Sequence, residues 1–96
     1  TTYIHRIMRG QIDDVDQIAV QAEIDQMSED DFNTLAYSGI ESLYGRLSEI
    51  DLARFDCAPP LRAVVAAICQ RDRQQREMRE LRDLIMNQLK QHAPRR

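Results

Sequence analysis

Tryptophan is absent from this chain, and glycine and proline occur only three times each in 96 residues. So few breakers exclude a fold built on tight turns and leave long stretches free to be helical. No apolar run reaches about 18 residues, which excludes a transmembrane helix. No secretory leader is visible, so the cytoplasm is the expected setting. The two cysteines, Cys57 and Cys69, are too few for a disulfide framework. Cys69 lies among apolar residues and reads as a small buried hydrophobe.

Catalytic parts are missing too. His5 and His92 stand near opposite ends, and neither has a Cys, Asp or Glu set at ligand spacing. Cys57 has no histidine near it in sequence to make it a nucleophile, and no glycine-rich loop is present to hold phosphate. Carboxylates are plentiful, but they fall on solvated helix faces, without the burial that raises a carboxyl pKa. The chain is therefore expected not to be an enzyme and to need no metal or cofactor.

With 43% hydrophobic and 30% charged residues, the composition is that of a folded domain. Residues 1–96 are expected to form one all-α domain, a small helical bundle with a long C-terminal helix. It divides into an N-terminal arm (1–10), acidic helices (11–56) and an arginine-rich long helix (60–91). The net charge of −3 conceals a strong asymmetry. Residues 11–56 hold twelve acids and two arginines, whereas residues 57–96 hold nine bases and four acids. Charge separated in this way selects a partner or pairs the halves with each other.

The long helix organises the rest. Pro59-Pro60 marks its start, where a missing N–H does no harm, and no breaker follows until Pro94. Leu61, Val64, Val65 and Ile68 recur at helical spacing, as do Met78, Leu81, Ile85 and Leu89. Between them Arg71, Arg73, Arg76, Arg79 and Arg82 alternate with acids. Asp72/Arg76, Arg76/Glu80 and Arg79/Asp83 stand at i, i+4, which suits a solvated face. His92 to Arg96 reads as a frayed tail.

Upstream, Tyr3, Ile4, Ile7 and Met8 give the arm an apolar face that is expected to pack, with Gly10 ending it. Ile12 to Met27 reads as a helix with Asp13 and Asp14 in its first turn, at the positive end of the helix dipole. Ser28-Glu-Asp-Asp is a capping-box spacing that opens a second helix, carrying Phe32, Leu35, Ala36, Ile40, Leu43, Tyr44 and Leu47. Gly39 weakens that helix unless it admits a close crossing, and Gly45 ends or bends it. Ser48 and Asp51 repeat the capping spacing, so a short helix is expected from Glu49 to Phe55, before a loop from Asp56 to Pro60. The expected core is Ile12, Val15, Ile18, Phe32, Leu35, Ile40, Leu43, Leu47, Leu61, Val64, Val65 and Ile68.

Direct DNA binding is not expected. The five arginines between Arg71 and Arg82 drift around the helix, and a pI near 5.3 opposes a basic footprint. The acidic half is the better candidate surface. Its excess charge amounts to about one per 3.5 Å for two helices side by side, against one per roughly 1.7 Å of duplex DNA. The candidate partner-binding residues are Asp13, Asp14, Asp16, Glu29, Asp30 and Asp31, which start two expected helices and are expected to project from one end. The alternative reading is a dimeric helical adaptor or regulator, held by the apolar residues from Leu81 to Leu89.

In its size, its all-helical reading and the stretches D-D-V-D and S-E-D-D, the chain resembles the small acidic inhibitors that phages and mobile elements direct against nucleic-acid machinery. Among these it is most similar to anti-CRISPR proteins acting on type I surveillance complexes. The resemblance implies a protein partner with a basic groove, a CRISPR effector subunit, and blocking of target DNA without catalysis. No membrane partner is expected, since no apolar run is long enough to span one. The arginine-rich helix departs from pure DNA mimicry and points to a mixed docking of carboxylates with apolar or arginine contacts.

Overall fold

The computed structural model describes residues 3–92, so the tail from Ala93 onwards lies outside it. The chain is all-α, with no strand among the described residues. Helix α1 spans Tyr3–Met8 and α2 spans Gln17–Gln26. Next, α3 (Glu29–Asn33) runs without a break through a π-helical stretch (Thr34–Ile40) into α4 (Glu41–Tyr44). A single 3-10 turn, Leu47–Glu49, and an irregular segment then lead to α5, Pro59–His92.

Two side-chain hydrogen bonds fix the main packing. Gln17 and Gln21, one turn apart on α2, donate their amide N–H groups to the carbonyls of Ala63 (3.3 Å) and Ala67 (3.4 Å), one turn apart on α5. The order of these pairs shows that α2 and α5 run parallel. The alanines leave room for so close an approach. From the far end of α2 the chain then travels back along α5. Phe32 packs under Arg71, Leu47 O meets the Cys69 thiol, and Phe55 O accepts from the Arg62 guanidinium. Ile4, Ile7, Val20, Ile24, Phe32, Ala36, Ile40, Leu47, Val64, Val65, Ala67 and Ile68 close the core, with Cys69 beside them as a free thiol.

Helix α5 is unbroken over 34 residues, about 51 Å at 1.5 Å per residue. The body covers it only as far as Gln75, and every residue from Arg76 to Gln91 is exposed. The molecule therefore measures 64 × 28 × 22 Å with a radius of gyration of 17.1 Å. A compact chain of this length would have about 12.5 Å.

Several sequence expectations are corrected. Helix α2 begins at Gln17, not Ile12, because Asp16 is the residue that caps it: its Oδ1 accepts from the N–H groups of Ile18 (3.0 Å) and Ala19 (3.4 Å). Asp13 and Asp14 thus lie in the irregular segment before the helix. The later start also changes the buried face, so Val20 and Ile24 are buried and Ile18 is 80% exposed. Ile12, Val15, Leu35 and Leu61 are only half-buried against the core.

Leu43, expected inside, is 71% exposed. The π-helical stretch bonds i to i+5, which widens the turn and rotates every later side chain off the face an α-helix would give it. Gly39 makes no close crossing, since an added Cβ would meet only the Thr34 carbonyl, at 3.9 Å. Gly45 does end α4, with φ of 94°. No helix spans residues 49–55. Asp51 instead accepts from the N–H of Ala53 (3.1 Å) and holds a turn there. Pro59 rather than Pro60 is the first residue of α5.

Candidate interaction surfaces

The point where α5 leaves the body is the best-braced part of the molecule. Arg71 lies with its guanidinium 4.3 Å above the Phe32 ring. Its Nη1 donates to the carbonyls of Ile24 (2.5 Å) and Met27 (3.0 Å). Those carbonyls end α2, so a positive charge satisfies them at the negative end of the helix dipole. One residue on, the Asp72 carboxylate is buried; Oδ1 accepts from Tyr37 (2.5 Å) and Oδ2 faces Arg76 Nε at 3.1 Å. Hydrogen bonding to Asp72, then burial, then the Asp72 charge push the Tyr37 hydroxyl up from 10.0 to about 12.

The arginine-rich segment is therefore not uniformly a solvated face. Arg71 holds the tertiary structure, and Arg76 pairs with Asp72 at the i, i+4 spacing. Among the described residues, Arg76–Glu80 and Arg79–Asp83 do not close to ion-pair distance.

Beyond this brace the helix carries large apolar side chains in the open: Met78, Leu81, Leu84, Ile85, Met86 and Leu89 are each 47–62% exposed. At the root of the free half, α5 and the ends of α2 and α3 enclose an open cleft of about 470 Å³. Asp25 and Glu29 line one wall, and Met78, Arg79 and Arg82 lie along the floor.

The six acidic candidates do not form one surface. Asp13 and Asp14 are exposed ahead of α2, and Asp16 is engaged as its cap. Glu29, Asp30 and Asp31 are exposed in the first turn of α3, where Ser28 Oγ accepts from the Asp31 N–H at 3.1 Å. Ten residues of α2, roughly 15 Å, lie between the two groups. They stand off opposite ends of that helix instead of projecting together.

Glu23 was not among the sequence candidates. Its Oε2 accepts from the Ile4 N–H (3.2 Å) at the start of α1, while Oε1 is buried without a hydrogen-bond partner among the described residues. No local pattern announces a cap delivered from another helix. Among the described residues no three His, Cys, Asp or Glu side chains gather as metal ligands, and no helix is long and apolar enough to cross a membrane. Comparison with protein-family models, with characterised proteins and with solved structures gives no match.

Proposed function

We propose that this chain is a non-catalytic helical interaction module, whose body anchors α5 and whose free half of α5 grips a protein partner. One observation carries the reading: a helix braced at its root presents six large apolar side chains to solvent over about three turns. Such a patch has no role in the core, and it disfavours a free-standing monomer in water.

The test compares the tagged chain with a variant carrying Ile85→Glu and Leu89→Glu. Both are immobilised and exposed to a host lysate supplemented with untagged chain. The wild type is expected to retain at least one protein that the variant loses, with helicity unchanged because both sites are exposed. Identical retained sets would remove the reading.

A second reading takes the acidic residues as the contact, in line with the anti-CRISPR class that the sequence resembles. Its support is that Asp13, Asp14, Glu29, Asp30 and Asp31 are all exposed and belong to neither described ion pair. The partner would then be a nucleic-acid-handling complex with a basic groove, and the activity an inhibition of nucleic-acid access. Charge reversal at Asp30 and Asp31 separates the two readings. Acidic contacts should weaken as the Debye length falls from about 10 Å at 0.1 M salt to about 3 Å at 1 M, whereas apolar helix contacts should not.

A further inference from the structure

Away from α5, the pocket between α1, α2 and the start of α3 holds a carboxylate that the fold uses by half. Glu23 reaches from α2 to α1, where its Oε2 accepts from the Ile4 N–H at 3.2 Å. Its Oε1 is buried and has no hydrogen-bond partner among the described residues. A carboxylate oxygen buried without a donor is costly, so a group that satisfies it binds with advantage. Glu23 lines an open pocket of about 500 Å³, together with the apolar side chains of Ile4, Met27 and Leu35. We propose that this pocket binds an alkylammonium ion, whose –NH3+ group donates to Glu23 Oε1 while its hydrocarbon stem lies on Ile4, Met27 and Leu35.

The lining selects each part of that ligand. A water takes up about 30 Å³, so the space far exceeds one bridging water and falls in the range of small-molecule sites. The titratable groups around it are Glu23, Asp31 and His5, with no lysine or arginine among the described residues. Two carboxylates against one imidazole favour a cation. Among the described residues no three His, Cys, Asp or Glu side chains gather as metal ligands, so the cation is organic. An inorganic ion would also gain nothing from the apolar lining, whereas an alkyl stem buries it.

The free oxygen decides between the two common organic cations. A guanidinium pairs best when its planar fork meets both oxygens of a carboxylate, and Oε2 is already engaged by Ile4. An ammonium is a point charge and needs only one. Glu23 as a whole is half-buried, and the terminal torsion of a glutamate is soft, so a small rotation turns Oε1 towards the pocket. The same alkylammonium group is carried by a free amine and by a lysine side chain of another polypeptide.

Amide chemical-shift titration of the whole chain at fixed ionic strength tests the proposal with three probes: pentylammonium, acetyl-lysine methylamide and pentylguanidinium. Saturable shifts centred on Ile4, Met27 and Leu35 are expected with the first two. Tighter binding of the lysine derivative assigns the source to a polypeptide, and tighter binding of pentylammonium assigns it to a free amine. Glu23→Gln keeps an acceptor for the Ile4 N–H but loses the charge, and should weaken both by about tenfold or more. Leu35→Lys places an ammonium on the pocket wall and should abolish binding with Glu23 intact. The absence of saturable shifts at the pocket overturns the proposal, as does pentylguanidinium binding as tightly as pentylammonium. Unchanged affinity in a folded Glu23→Gln or Leu35→Lys protein overturns it too. The comparison of probes on the wild type decides the matter even if neither variant folds.

Discussion

The phenolic oxygen of Tyr37 stands 2.5 Å from Oδ1 of Asp72, joining the π-helical stretch to the point where α5 leaves the body. Tyr37→Phe removes the donor and leaves a buried carboxylate with Arg76 alone. A loss of about 1.5–3 kcal/mol in urea unfolding is expected, the range for hydrogen bonds to charged groups.

The same contact sets a pH dependence. The folded pKa of Tyr37 is raised to about 12 from 10.0, so the unfolded chain releases the proton first. The stabilisation is whole below pH 10 and disappears as pH rises from there through 12. Absorbance titration should show one tyrosine ionising late, and Tyr37→Phe should abolish that late step.

Arg71 joins three elements through one guanidinium, so its replacement is expected to be costly despite its place in a charge-rich segment. Arg71→Ala should lower stability by about 2–3 kcal/mol, through two lost carbonyl contacts and the stacking on Phe32. Arg71→Lys should recover only part, since an ammonium lacks the planar fork. Full recovery in thermal unfolding would show that charge alone suffices.

Ile40 and Leu43 test the rotation introduced by the π-helical stretch. Ile40 is fully buried, and Ile40→Ala should cost about 2–5 kcal/mol. Leu43 is largely exposed, and Leu43→Ala should stay within about 0.5 kcal/mol. Equal costs in chemical denaturation would mean that the stretch is α-helical in solution.

Asp13, Asp14 and Asp16 look alike in sequence but differ in the fold. Asp16→Ala removes a cap and should destabilise by about 0.5–2 kcal/mol, whereas Asp13→Ala and Asp14→Ala should leave the melting temperature unchanged.

What was legible in the chain follows from how local each signal is. The long helix, its proline start, the Ser28 cap, the stop at Gly45 and the buried Val64, Val65 and Ile68 all rest on neighbours within a turn or two. The start of α2 was not legible, because D-D-V-D offers several residues able to cap and the tertiary packing of Val20 and Ile24 decides among them. The π-helical stretch has no residue signature, and it displaced Leu43. Gln17 and Gln21 read as ordinary polar positions; their role depends on alanines 46 residues away. Arg71 matched the solvated pattern of its neighbours because its carbonyl partners lie on another helix. For the candidate surfaces, the apolar residues from Met78 to Leu89 were visible, but the separation of the acidic groups was not.

The parallel course of α2 and α5 also sets the order in which the chain can fold. Contacts from Gln17 to Ala63 and from Gln21 to Ala67 each close a loop of 46 residues, so the core cannot form until the first half of α5 has been made. Nothing after Gln75 takes part in that closure. On the proposed reading, fold and recognition are encoded in successive halves of one helix, and substitutions in the second half would alter the partner contact while the contacts that close the core stay the same.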